Sequence, residues 1–149
     1  MATVHPITHN FTSDDHIRRQ IALWGSQGSI HEIANAMPVG VLVLNAQRLA
    51  VFANEQFRKI ANAHTIDEIL GKRPGDILLC ANAHLEDHGC GSSLFCKNCG
   101  AMRAIISSLS GDPGLEESYL ERQVGHEPLQ LRVKTTPVER DGEQFTIFA

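Results

Sequence analysis

The sequence predicts an α+β fold, and three observations carry that expectation. Two apolar runs of strand length with a polar turn between them open the middle of the chain. Several short stretches of helical periodicity follow, and three strand-like runs joined by turn residues close it. The 149 residues are enough for one domain with a real core and too few for two ordinary ones.

Residues 1 to about 14 are polar, carry several His and turn formers, and read as a loose arm. Beyond them Ile17, Ile21, Leu23, Trp24, Ile30, Ile33, Ala34 and Met37 recur at near-helical spacing, broken by Gly25 and Gly28. This predicts a helix over 15–24 and another over 28–36, stopped by Met37-Pro38. Such a leading helix serves either as a dimerisation or relay element or as cover for the chain's own sheet.

Gly40-Val-Leu-Val-Leu44 and Leu49-Ala-Val-Phe-Ala53, joined by Asn45-Ala-Gln-Arg48, read as an antiparallel hairpin. Asn54 then caps a helix Glu55–Ala61 that gathers Phe57, Ile60 and Ala61 on one side. Thr65-Ile-Asp-Glu68 is a capping box, which predicts a short helix from Thr65 to Leu70 ended by Gly71. Gly75-Asp-Ile-Leu-Leu79 leads into a cysteine-bearing segment. After that segment, Met102, Ile105, Ile106 and Leu109 predict a helix Gly100–Leu109, broken by Gly111-Asp-Pro-Gly114. Three strands are expected at Leu115–Val124, Leu129–Val138 and Gln144–Phe148, with turns at Gly125-His-Glu-Pro128 and Arg140-Asp-Gly142.

Composition narrows the function classes. A formal charge of −4 and a hydrophobic content of 42% describe a globular chain with no global pull toward nucleic acid or anionic membrane. No apolar run approaches the roughly 20 residues that span a bilayer, and Met1-Ala-Thr-Val-His-Pro6 lacks the basic start and apolar core of a secretory signal. The expected compartment is therefore the cytoplasm, where thiols stay reduced. Enzyme signatures are missing: there is no G-x-S-x-G, P-loop, G-x-G-x-x-G or H-E-x-x-H.

The chemistry concentrates in one place. All four cysteines, Cys80, Cys90, Cys96 and Cys99, fall within twenty consecutive residues. Clustered thiols suit soft or borderline metals and two-electron oxidation, both of which need sulfurs close together. Cys96-Lys-Asn-Cys99 is a C-x-x-C whose second cysteine opens a helix, and backbone N–H groups there stabilise thiolate charge. Glycines on both sides of Cys90 let the backbone bend tightly. Four thiolates around zinc or an iron–sulfur cluster, two disulfides, and reduced thiols in a loop all remain open. The irregular spacing weighs against a zinc ribbon and for a cluster. His84 and His88, four residues apart, are alternative ligands, or else solvated loop residues beside Glu86 and Asp87. A C-x-x-C before a helix is similar to that of thioredoxin, yet a Gly-Ser loop stands here where a strand would precede it.

Over residues 30–149 the chain resembles a PAS domain, the sensory module of histidine kinases, diguanylate cyclases and transcriptional regulators. The resemblance rests on Ile33-Ala-Asn-Ala-Met-Pro-Val-Gly-Val-Leu-Val-Leu-Asn45, on Asn54-Glu-Gln-Phe57 and on Gly71-Lys-Arg-Pro-Gly-Asp76. It implies a five-stranded antiparallel sheet with short helices on one face enclosing a pocket, preceded by an N-terminal arm and helix over residues 1–29. Leu42, Leu44, Phe57, Ile60, Ile69, Leu131 and Val133 would line that pocket, and they are core residues first. The family's flavin-type N-C-R-F-L form is absent, and no His stands out as a haem ligand. The insert over residues 80–99 departs from the ordinary pattern and resembles a subset of bacterial PAS sensors with the same cysteines. The resemblance implies a non-catalytic sensor in a two-component or related signalling protein, and the chemistry of the clustered cysteines makes redox state, oxygen or metal the expected signal. It would dimerise through the N-terminal helix and sheet and report to an output domain of the same polypeptide, since the chain stops within its last strand. The competing readings are an interaction module held by a zinc or disulfide knot, and a small-molecule sensor using the pocket.

Overall fold

The computed structural model describes residues 14–25, 28–85 and 87–149. The arm expected over residues 1 to about 14 thus lies, up to residue 13, outside the described residues.

Five strands form one antiparallel sheet in the order β2-β1-β5-β4-β3. They are β1 (Leu42–Leu44), β2 (Ala50–Ala53), β3 (Gly114–Leu120), β4 (Leu129–Arg140) and β5 (Glu143–Phe148). β1 and β2 make the expected hairpin, and the three C-terminal strands form a meander. Closure comes from β5, which returns to pair with β1, Leu42 opposite Phe148 and Leu44 opposite Thr146.

Period-two alternation gives the sheet two apolar faces. On the inner face Leu42, Leu44, Val133 and Phe148 pack against α3 (Glu55–Ala61), α4 (Pro74–Ile77) and α5 (Gly100–Leu109), through Phe57, Ile77, Ala104 and Ile105. On the outer face Val43, Val51 and Phe145 meet Trp24 of α1 (Asp14–Gly25) and Ala34 of α2 (Ser29–Ala36). Trp24 lies edge-on to Phe145, with ring centroids 5.3 Å apart, and the Arg140 guanidinium sits 4.9 Å from its ring. Gln20, 3% exposed, accepts a hydrogen bond from Asn45 Nδ2 at 2.8 Å and donates to Glu143. The leading helix therefore covers its own sheet.

Asn54 does more than cap α3. Its Oδ1 accepts from Phe57 N and Val41 N, while its Nδ2 donates to the carbonyls of Ala34 and Val39. One fully buried amide thus joins the end of α2, the entry to β1 and the start of α3.

Two elements depart most from expectation, the Thr65–Leu70 helix and the first C-terminal strand. The helix expected over Thr65–Leu70 is a single 3-10 turn, Ile66–Glu68. The capping box forms as read, but Gly71 N donates to Ala50 O, tying the chain to the edge of β2 before a second turn can build. The run Gly75–Leu79 carries no expected element, and its first residues belong to a short helix. Pro74 starts α4 at its first helical position, where a missing N–H costs nothing. The first C-terminal strand ends at Leu120 rather than Val124, because Glu121 and Gln123 pair instead with Ala81 and Leu79.

Candidate thiol site

That detour places the first cysteine. Leu79 takes a left-handed conformation (φ 59°), reversing the chain, and Cys80 bridges to Arg122, just beyond the end of β3. Arg122 Nε donates to Leu78 O at 2.8 Å and fixes the reversal.

Cys90 is held by its backbone. Its N–H donates to Asp76 Oδ1 (3.2 Å), and its carbonyl accepts from Arg48 Nη1 (3.2 Å) and Arg73 Nη1 (3.3 Å). Gly91 follows at φ +91°, where a Cβ would fall 2.0 Å from Arg48 Nη1, so only glycine turns this corner under the arginine. Cys96 and Cys99 come from a 3-10 turn, Leu94–Asn98, and its exit. Cys96 Sγ lies 3.4 Å from Ser93 Oγ, and Cys99 Sγ lies 3.8 Å from Ser118 Oγ on β3. Cys99 occupies the N-cap position of α5, as read from the sequence, and its carbonyl accepts from Arg103 N.

These segments enclose one cavity of about 120 Å³, and all four cysteines line it. Its floor is α4 and α5 (Gly75, Met102, Ile105), its far wall is the sheet (Leu120, Leu131, Phe148), and Phe95 and Tyr119 stand at its edge. Gly75 is the close contact between the cysteines: a Cβ there would lie 2.7 Å from Cys90 Sγ and 3.4 Å from Cys80 Cβ.

Burial pushes the Cys90 thiol up to about 11, and the N–H of Gly75 and the charge of Arg48 only partly oppose it. Burial also raises Cys80, with Cys99 and Cys96 adding to the rise against backbone donors at Asn82 and Ala83. Arg48 is itself held below its ordinary range, first by burial and then by Arg73. The site is thus a set of thiols in an apolar chamber with two guanidiniums at its rim.

An all-sulfur donor set facing one cavity suits a thiophilic metal or a cluster in its chemistry. Its spacing is looser than a closed site: among the described residues no three His, Cys, Asp or Glu side chains are gathered closely enough to hold one ion. The Leu94–Asn98 turn that bears Cys96 also carries Leu94 and Phe95, 76% and 63% exposed. Of the alternative ligands, His84 closes a 3-10 turn (Ala81–His84) and its side chain lies outside what is described. His88 is exposed and does not line the cavity.

The pocket residues divide into two groups. Phe57, Ile60, Leu131 and Val133 line an open cleft of about 670 Å³ with Pro38, Leu78 and Leu115. Leu42, Leu44 and Ile69 are fully buried, line neither cavity and serve as core alone. Four residues around the cysteines were not singled out from sequence: Arg48, Arg73, Gly75 and Asp76. The only signal was that Arg73, Gly75 and Asp76 fall inside Gly71-Lys-Arg-Pro-Gly-Asp76.

No family model matches the chain, and no curated protein matches its sequence. Solved structures do share its fold. The PAS domain of nitrogen regulation protein NR(II) from Vibrio parahaemolyticus aligns with a TM-score of 0.56 at 15% identity, covering 82% of this chain and 95% of that one. The PAS domain of an HTR-like protein from Haloarcula marismortui gives 0.54 at 17% identity, covering 88% and 94%. The photoactive yellow protein domain of the sensor histidine kinase Ppr from Rhodospirillum centenum gives 0.52 at 11% identity, covering 87% and 98%. The chain has the PAS fold, an α+β architecture with a five-stranded antiparallel sheet. Among the described residues no helix is long and apolar enough to cross a membrane.

Proposed function

We propose that this domain is a non-catalytic sensor whose sensing element is the four-cysteine cavity. The observation that carries the reading is that cysteines up to nineteen positions apart, from three separate segments, line one chamber at the head of α5. Redox state, oxygen or a metal is the signal class that such thiols answer.

If a metal or iron–sulfur cluster is resident, Cys80, Cys90, Cys96 and Cys99 would hold it, and it would supply a centre that is lost or altered on oxidation. The chain's own part is to convert a change among the sulfurs into motion of α5. Gly100, next to Cys99, is seated so tightly on β3 that a Cβ would fall 2.1 Å from the Glu117 carbonyl. Displacing Cys99 therefore displaces the helix against the sheet. A cytoplasmic location, a dimer through the N-terminal helix and sheet, and an output domain of the same polypeptide complete the reading. Neither nucleic acid nor membrane is a partner in it.

The test is iron, zinc and acid-labile sulfide analysis with a visible spectrum on protein purified without oxygen. Iron with sulfide identifies a cluster sensor. Zinc alone identifies a structural knot and removes the sensing role. With neither, thiol counts before and after oxidant must change together with conformation, or the reading fails. Cys96→Ser and Cys99→Ser are expected to abolish any metal content. A second reading, a small-molecule sensor, is favoured by the 670 Å³ apolar cleft at Phe57 and Leu131. Ligand-induced stabilisation of a cysteine-free variant would support it.

A further inference from the structure

Cys96 differs from its three neighbours in facing two ways. It lines the inner cavity, and it also lines a surface groove of about 370 Å³ between the 91–97 segment and α5, which the other cysteines do not reach. The groove carries Arg48, Lys97 and Arg103, together with Ser92, Ser93 and the apolar Met102, Ile106 and Leu109. Among the described residues no Asp or Glu lines it, although the chain as a whole is acidic. Arg103 is shared with Glu116 and the Asn98 carbonyl, and Arg48 with the Cys90 carbonyl, while Lys97 is exposed.

A cationic groove ending at a thiol that also opens on further thiols has the layout of a thiol–disulfide exchange site. We propose that Cys96 is the entry thiol and that the groove receives an anionic low-molecular-weight disulfide of the glutathione class. This rests on reading the four cysteines as the sensing element, and it names what reaches them. Cys96 gives its proton to water and the thiolate attacks one sulfur of the disulfide; that S–S bond breaks, a Cys96–S–S–R bond forms, and RS⁻ leaves and takes a proton from water. A second cysteine of the inner cavity then gives its proton to water and attacks Cys96 Sγ, expelling the second RS⁻, which is protonated in turn. Two protein thiols are oxidised to one disulfide, and one external disulfide is reduced to two thiols. Cys80, Cys90 and Cys99 line the inner cavity but not the groove, which leaves them for the resolving step.

The test uses the full chain, purified without oxygen and freed of excess reductant. It is mixed with substoichiometric oxidised glutathione, quenched in acid and peptide-mapped by mass spectrometry. The first adduct is expected on Cys96, with glutathione disulfide reacting about three- to ten-fold faster than the cationic disulfide cystamine. Lys97→Glu, an exposed change, is expected to shrink or invert that preference. A first adduct on Cys80, Cys90 or Cys99 overturns the proposal, and so does a rate indifferent to the charge of the disulfide. The triple variant Cys80→Ser/Cys90→Ser/Cys99→Ser should hold the mixed disulfide without resolving it. Should that variant fail to fold, the wild-type map decides. If Cys96 reacts as described but amide exchange of α5 is the same before and after oxidation, the entry thiol stands and the sensing reading falls.

Discussion

Replacing Gly75 by Ala tests whether the cysteine chamber is packed as described. In a helix the change itself favours the variant by about 0.5–1 kcal/mol, because alanine has less backbone freedom to lose. Against that stands the new methyl, 2.7 Å from Cys90 Sγ and 3.0 Å from Cys90 Cβ. The sulfur can rotate away, but the Cβ cannot, since hydrogen bonds from Arg48 and Arg73 and to Asp76 hold the Cys90 backbone. Overpacking of this kind costs about 1–3 kcal/mol. The net expectation is a loss of up to about 2.5 kcal/mol, which for a chain of this size lowers Tm by up to about 5–10 °C.

The assay is thermal unfolding under reductant and chelator, followed by circular dichroism. Cys90→Gly removes both the sulfur and the Cβ from the clash, so Gly75→Ala is expected to cost measurably less in that background than in the wild type. A Gly75→Ala variant that gains the full helix-propensity increment, or whose effect is the same with and without the Cys90 side chain, would refute the geometry of the chamber.

Three further outcomes follow from the same structure. Cys90 keeps its proton up to about 11 when folded and releases it near pH 8.5 when unfolded, so between those values the unfolded chain binds fewer protons. Stability of the metal-free domain must therefore fall as pH rises through that window, and Cys90→Ser should flatten the fall in a denaturant series against pH; an unchanged slope rejects the assignment. Asn54→Ala removes the α3 cap and strands the carbonyls of Ala34 and Val39, for an expected loss of about 3 kcal/mol in urea unfolding, and a loss below about 1 would contradict the four-bond role. Trp24→Ala is expected to cost about 3 kcal/mol and to leave Val43, Val51 and Phe145 exposed, seen as dye binding; a neutral result would mean that α1 does not cover the sheet.

The elements that the sequence displayed well are those whose signals are local. Asn54, the Thr65/Glu68 capping box, Met37-Pro38 and the period of Gly100–Leu109 each act within a turn of themselves, and all four appear where they were read. What escaped depends on residues far apart in the chain. The early end of β3 is set by pairing with Leu79 and Ala81, some forty positions earlier, and no property of Glu121–Val124 announces it. The same holds at the site. Cysteine clustering was plain in the sequence, whereas Arg48 reaches the Cys90 carbonyl from forty-two positions away and Gly75 matters only because Cys90 folds back onto it. Whether the sulfurs close on a metal depends on distances among three loops, which spacing along the chain does not encode.

α5 is the element through which the chamber can reach the rest of the domain. Its first turn carries the chamber at Cys99 and Gly100, its middle is bonded to β4 by Thr135 Oγ1, which donates to Ala104 O at 2.6 Å, and its last turn meets β5 where Ser108 Oγ lies 2.7 Å from Thr146 Oγ1. Thr135 and Thr146 are fully buried, so these contacts are shielded from water and move only with the backbones that bear them. On β5 the residue before Thr146 is Phe145, which points to the opposite face and packs on Trp24. A shift of α5 thus has a short mechanical route through the sheet to α1. Thr146→Val should cost about 1–2 kcal/mol of stability by leaving the buried Ser108 hydroxyl without this partner. It should also weaken the oxidation-dependent change in amide exchange over residues 143–148 relative to that within α5. Equal changes in both segments, with and without Thr146, would mean that the signal leaves the chamber by another path.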